Sequence, residues 1–110
     1  MTLTDLPVLP PLRLEPNRPD VSRPVTIAAL LADPVRASIL ALLRDGPICV
    51  CELAAALEER QNNISNHLAR LRDAGLVRAT RQAGDARRAY YERDEAACAE
   101  AVGELGMLLR

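Results

Sequence analysis

The stretch ISNHLARLRDAGLV, residues 64–77, decides how this chain is read. Ile64, Leu68 and Leu71 recur at helical spacing, and Gly75 is a natural left-handed terminus. Around the start of this pattern the residues are small and polar: Gln61, Asn62, Asn63, Ser65, Asn66 and His67. Residues 62–75 are therefore expected to form a helix with an apolar back and a front of amides, a hydroxyl and an imidazole. Such a front can enter a major groove and reach base edges.

Upstream, VCELAAAL (50–57) predicts a helix with Leu53, Ala54 and Leu57 inward, and ERQ (59–61) is the turn between the two. VRASILALL (35–43) predicts another, with Val35, Ile39, Leu42 and Leu43 on one face. Asp33-Pro34 starts it as a cap and a first-turn proline, and Gly46-Pro47 stops it. Ile48 is left as a single extended residue, and VTIAALLA (25–32) is a short first helix.

Downstream, LVRATRQ (76–82) and RRAYYER (87–93) read as two short strands around AGDA, a hairpin-type turn. Asp94 caps a final helix, EAACAEAVGELGMLL. Its apolar positions Ala97, Ala101, Val102, Leu105, Leu108 and Leu109 exceed what one core-facing stripe needs, a surplus that belongs to a dimer interface. The expected fold is mainly α with a β-hairpin wing. It is a winged helix-turn-helix of about five helices and two short strands over residues 25–110, dimerising through terminal helices. Residues 1–24 hold six of the eight prolines and read as an extended arm.

At 110 residues the chain has room for one domain, and without Phe or Trp its core must be aliphatic. Net charge is −1, but it is segregated: residues 60–93 carry eight Arg against three acids, and the rest carries six Arg against twelve. A basic face on an acidic body suits a nucleic-acid partner. Arg70, Arg81, Arg87 and Arg88 are the candidate backbone contacts, the last three in the wing, where a tip fixes register more than sequence. No apolar run is long enough to cross a membrane, and no export signal begins the chain, so a cytoplasmic location is expected. There is no glycine-rich phosphate cradle and no nucleophile with its base, so an enzyme is not expected.

With these elements in place the sequence resembles the ArsR/SmtB family of metal-responsive repressors, and its arsenic-repressor branch in particular. The residues that carry the resemblance are LADPVRASILALL (31–43), CVCEL (49–53), ISNHLARLRDAGLV (64–77) and the wing ATRQAGDARRAYY (79–91). The resemblance implies a homodimer that represses by binding double-stranded operator DNA until an inducer arrives. It also gives a meaning to the cysteines. Soft ions such as As(III), Sb(III), Cd(II) and Pb(II) prefer thiolates. Cys49 and Cys51 stand at a helix start, where free N–H groups and the dipole favour thiolate formation.

Residues two apart point in different directions in a regular helix, so convergence on one ion requires a loosened first turn. The arsenic branch carries CVCDLC here, whereas this chain has CVCELA, with Ala54 in place of a third thiol. Cys98 in the last helix, of the same chain or of the partner, is the other candidate sulfur, with exogenous thiol as the alternative. The single histidine excludes a histidine-rich zinc site. The expected function is a homodimeric repressor released by As(III) or Sb(III) on Cys49, Cys51 and Cys98. The alternatives are a Cd(II)- or Pb(II)-responsive repressor, a thiol redox switch, or a DNA-binding protein that senses nothing.

Overall fold

A computed structural model describes residues 18–82 and 84–110. Most of the proline-rich arm, residues 1–17, lies outside the described residues, as does Ala83 in the wing turn. The elements are α1 (Ser22–Leu31), α2 (Pro34–Leu42), β1 (Ile48–Cys49), α3 (Val50–Leu57), α4 (Gln61–Asp73), β2 (Val77–Gln82), β3 (Asp85–Arg93) and α5 (Glu95–Leu109). A 3₁₀ turn, Leu43–Asp45, follows α2.

Local chemistry starts and stops these elements largely as the sequence reads. The Asp33 carboxylate accepts from the N–H groups of Val35 (2.8 Å) and Arg36 (3.2 Å) with Pro34 beside it, a cap that stabilises α2 by about 1 kcal/mol. Asp94 does the same for α5, accepting from Ala97 N–H at 3.0 Å. After α4, Gly75 adopts φ 82°, and Leu76 N–H reaches back to the Leu71 carbonyl at 3.0 Å. The end of α3 is less expected: Glu58 takes a left-handed conformation at φ 55°, ψ 42°, where glycine is usual. That cap lets Glu59 N–H close on the Ala54 carbonyl at 2.9 Å and turns the chain sharply into α4.

Ile27, Ile39, Leu53, Ile64, Leu68 and Leu71 are fully buried, so α4 lies with its apolar back on α2 and α3. Truncating one of these to alanine costs about 2–5 kcal/mol. Two expectations need correcting. Leu42, placed on the inner face of α2, is 37% exposed, because the chain tightens at Leu43 and sends Leu43 inward instead. The first helix begins at Ser22, inside the expected arm. Arg23 shows why that turn is ordered: it donates to Glu104 on α5 (3.1 Å) and to the Ala74 carbonyl after α4 (3.0 Å).

The sheet has three strands, not two, in the order β1-β3-β2. Ile48 pairs with Tyr91 and Cys49 with Tyr90, so the short extended piece before α3 is stitched to the wing. Within the wing, Val77↔Arg93 to Thr80↔Tyr90 follow one register, but Gln82 pairs with Asp85. Four residues of β3, Ala86 to Ala89, therefore stand opposite Arg81 alone, an enlarged bulge carrying Arg87 and Arg88. Among the described residues no single helix is long and apolar enough to cross a membrane.

Candidate ligand site and nucleic-acid interface

The structure places Cys49 and Cys51 in one cleft. Cys49 ends β1 in extended conformation (φ −78°, ψ 155°) and is the N-cap of α3, and Cys51 is the second residue of that helix. Cys49 thus stands before the helix rather than in its first turn, so the angular separation of two helical residues does not describe the pair. Both cysteines line the same cleft. The Cys49 sulfur also accepts from Glu52 N–H at 3.3 Å, serving as the helix cap.

Thiolate formation at Cys49 is not favoured, contrary to the expectation for a helix start. Burial pushes its pKa above the usual 9.0, and the neighbouring Cys51 pushes it further, outweighing the Glu52 N–H. The sulfur is fully enclosed, and desolvation wins over the dipole.

The cleft has a volume of about 310 Å³ and joins three elements. Its floor is Cys49 to Cys51; Gln61 and Ser65 of α4 form one wall, and Arg87, Arg88 and Ala89 of the bulge form the other. Arg88 Nε lies 3.5 Å from Asp85 Oδ2, and Asp85 also accepts the Tyr90 hydroxyl at 3.0 Å. Asp85 first, then Cys51 and Cys49, hold the Arg88 pKa above its usual value. Since Tyr90 is the ladder partner of Cys49, the thiols and the wing arginines are linked through a short chain of contacts.

Cys98 is elsewhere. Its thiol donates weakly to the Leu76 carbonyl at 3.7 Å, in an apolar cavity of about 130 Å³ between α1, α2 and α5. Burial raises its pKa also. The chain thus brings Cys49 and Cys51 together and does not bring Cys98 to them. Among the described residues no group of three His, Cys, Asp or Glu converges as a metal site.

The candidate DNA-facing residues divide in the same way. Gln61, Asn62, Ser65, Asn66 and Arg70 are exposed on the outer face of α4. Asn63 is half-buried, its side-chain amide donating to Glu59 at 2.8 Å. His67 is turned towards α2, where Arg36 donates to its Nδ1 at 3.2 Å. Arg36 itself is anchored on the Leu30 carbonyl at 2.8 Å. Arg81, Arg87 and Arg88 are exposed in the wing. The expected basic face is narrower than the arginine count suggests. Arg78 is paired with Glu92 (2.8 Å) and Asp94 (3.7 Å), and half-buried Arg93 reaches Glu95 (3.1 Å) and the Leu40 carbonyl (3.4 Å). Sequence reasoning missed Arg36, Asp85 and Tyr90, whose contacts come from packing and which no motif announces.

An outward polar helix set on two others and followed by a basic hairpin defines a winged helix-turn-helix protein. The sequence profile of the bacterial regulatory protein arsR family matches residues 33–79. The arsenic resistance transcriptional regulator ArsR1 of Pseudomonas putida is 46% identical over 59 residues, covering 53% of this chain and 46% of that protein. The aligned stretch thus spans about half the length of that curated relative. The transcriptional activator HlyU of Vibrio cholerae is 34% identical over 73 residues, covering 66% of this chain and 68% of that one. The structure of reduced HlyU superimposes with a TM-score of 0.61 at 31% identity, covering 73% and 82% of the two chains. The chain belongs to the arsR family, and so to transcription regulators, not enzymes.

Proposed function

We propose that this chain is a homodimeric repressor that holds operator DNA and lets it go when a thiophilic metalloid, As(III) or Sb(III), binds Cys49 and Cys51. The observation that carries the reading is the shared cleft: the two cysteines line it together with Gln61 and Ser65 of α4 and with Arg87 and Arg88 of the wing. The likeness to an arsenic resistance regulator of Pseudomonas putida supports it.

In this reading Gln61, Asn62, Ser65 and Asn66 reach base edges, while Arg70, Arg81, Arg87 and Arg88 meet phosphates. Asn63 and His67 hold the helix in place through Glu59 and Arg36. A metalloid on Cys49 replaces the hydrogen of the sulfur that caps α3, and the direction of the new bond has to be accommodated around that cap, which couples ligand binding to the seating of α3 against α4. The donor set fits a soft trivalent centre in two positions. Dimerisation uses the apolar residues left outside the core on α1 and α5: Val25 (53% exposed), Val102 (70%), Met107 (77%) and Leu109 (84%).

The test is fluorescence anisotropy of the reduced protein on its own promoter DNA, titrated anaerobically with arsenite. Release at near-stoichiometric arsenite is expected. Binding that persists through excess arsenite refutes the arsenic reading, and the same titration with Cd(II), Pb(II) or an oxidant then identifies the inducer.

A further inference from the structure

The cleft that holds Cys49 and Cys51 is larger and more polar than a bare trivalent ion requires. Its volume of about 310 Å³ is many times the roughly 10–15 Å³ that one water needs on the same measure. Its protein sulfurs number two, and Cys98 lines a different cavity. A trivalent arsenic centre that prefers sulfur therefore has one position left over.

What surrounds that position is not neutral. Arg87 and Arg88 line the cleft on the β3 bulge, where the irregular register lets consecutive side chains leave the strict alternation of a ladder. Arg88 has one carboxylate beside it, Asp85 at 3.5 Å, and Arg87 has no ion pair among the described residues. Gln61 and Ser65 add an amide and a hydroxyl on the opposite wall. Two guanidiniums against one carboxylate leave these walls of the cleft with an excess of positive charge.

We propose that the third ligand of a metalloid bound here is a small anionic thiol from solution, its sulfur on the metalloid and its carboxylate on Arg87 and Arg88. This rests on the metalloid reading given above. The exchange balances without electron transfer. Three As–O bonds of arsenous acid break, three As–S bonds form, and each hydroxide leaves as water with one thiol proton. The adduct also occupies the two wing arginines proposed to meet phosphates, so ligand and DNA compete for them.

The experiment uses the full reduced chain, anaerobically, titrated with arsenite in the presence of mercaptosuccinate (anionic), mercaptoethanol (neutral) or cysteamine (cationic). Loading is read from the near-ultraviolet sulfur-to-arsenic absorption, and the sulfur count from arsenic X-ray absorption. The expected result is three sulfurs and an apparent affinity about fivefold higher with mercaptosuccinate than with mercaptoethanol, with cysteamine weakest. R87Q/R88Q, at exposed positions, is expected to fold as before by circular dichroism and to lose that order. Comparing the two proteins under each thiol cancels arsenite capture by the free thiol. The proposal is overturned by three sulfurs in thiol-free buffer, by two sulfurs whatever thiol is present, or by an unchanged order in R87Q/R88Q. Absence of any sulfur–arsenic absorption under every thiol instead defeats the metalloid reading itself.

Discussion

The pair Cys49 and Cys51 and the single Cys98 are thiols of one small chain in different settings: Cys49 is buried, and Cys51 and Cys98 are half-buried. The Cys49 and Cys51 cleft is walled by an amide, a hydroxyl and two arginines, and it opens between the two elements suited to DNA. The Cys98 cavity is mostly aliphatic, lined by Ile27, Leu31, Leu40 and Leu105, with one arginine, Arg93, at its edge. Both environments raise a thiol pKa through burial. Acidity therefore does not separate a sensing thiol from a packing one here. Position does: the first cleft is shared with α4 and the β3 bulge, whereas the Cys98 cavity lies between α1, α2 and α5 and meets the wing only at the end of β3, through Arg93.

The largest expected effect breaks the pair. C49S/C51S should weaken arsenite binding about hundredfold or more while DNA affinity stays within a few-fold, measured by absorption and by anisotropy. Next comes the proton balance. Arsenous acid reacting with neutral thiols releases no net proton, whereas a divalent cation displaces one from each thiol. Between pH 6 and 8, the protonated Cys49 thiol should leave arsenite affinity nearly flat and make Cd(II) affinity rise by about tenfold per pH unit. Titrations at several pH values check this. Third, C98A should cost about 1 kcal/mol in urea denaturation and leave the arsenite isotherm unchanged. A shared loss of arsenite binding would erase the contrast between the two settings.

The smallest effect concerns alkaline stability. Because folding raises the pKa of Cys49 and Cys98 above 9.0, the fold favours their protonated forms. That contribution is complete below the unfolded thiol's pKa and is lost as pH rises through the folded values. Unfolding midpoints should therefore fall above about pH 9, and C98A should make the decline shallower.

The helices were legible because their signals are local. Asp33-Pro34, the spacing of Ile64, Leu68 and Leu71, and Gly75 each act within a turn or two of chain. The exposed polar front of α4 followed from the same periodicity. What could not be read depends on residues far apart in sequence. β1 is two residues long and exists because Tyr90 and Tyr91 lie beside it. His67 faces Arg36, 31 positions away, and Arg23 is tied to Glu104, 81 positions away. The cleft itself is such a case, since spacing alone cannot show that the β3 bulge folds back over Cys51. Helix-start chemistry likewise misjudged Cys49, because burial is a property of the assembled core.

The enlarged bulge at Ala86 to Ala89 has a further consequence for how such a regulator can diversify. Strand positions that exchange ladder hydrogen bonds are constrained by their partners, and a slip there would displace Cys49 along with Tyr90. The bulge carries no such obligation opposite Arg81. Its length and charge can drift while the rest of the sheet stays in register. Mutation can thus alter the charge and shape of this side of the cleft without refolding the domain.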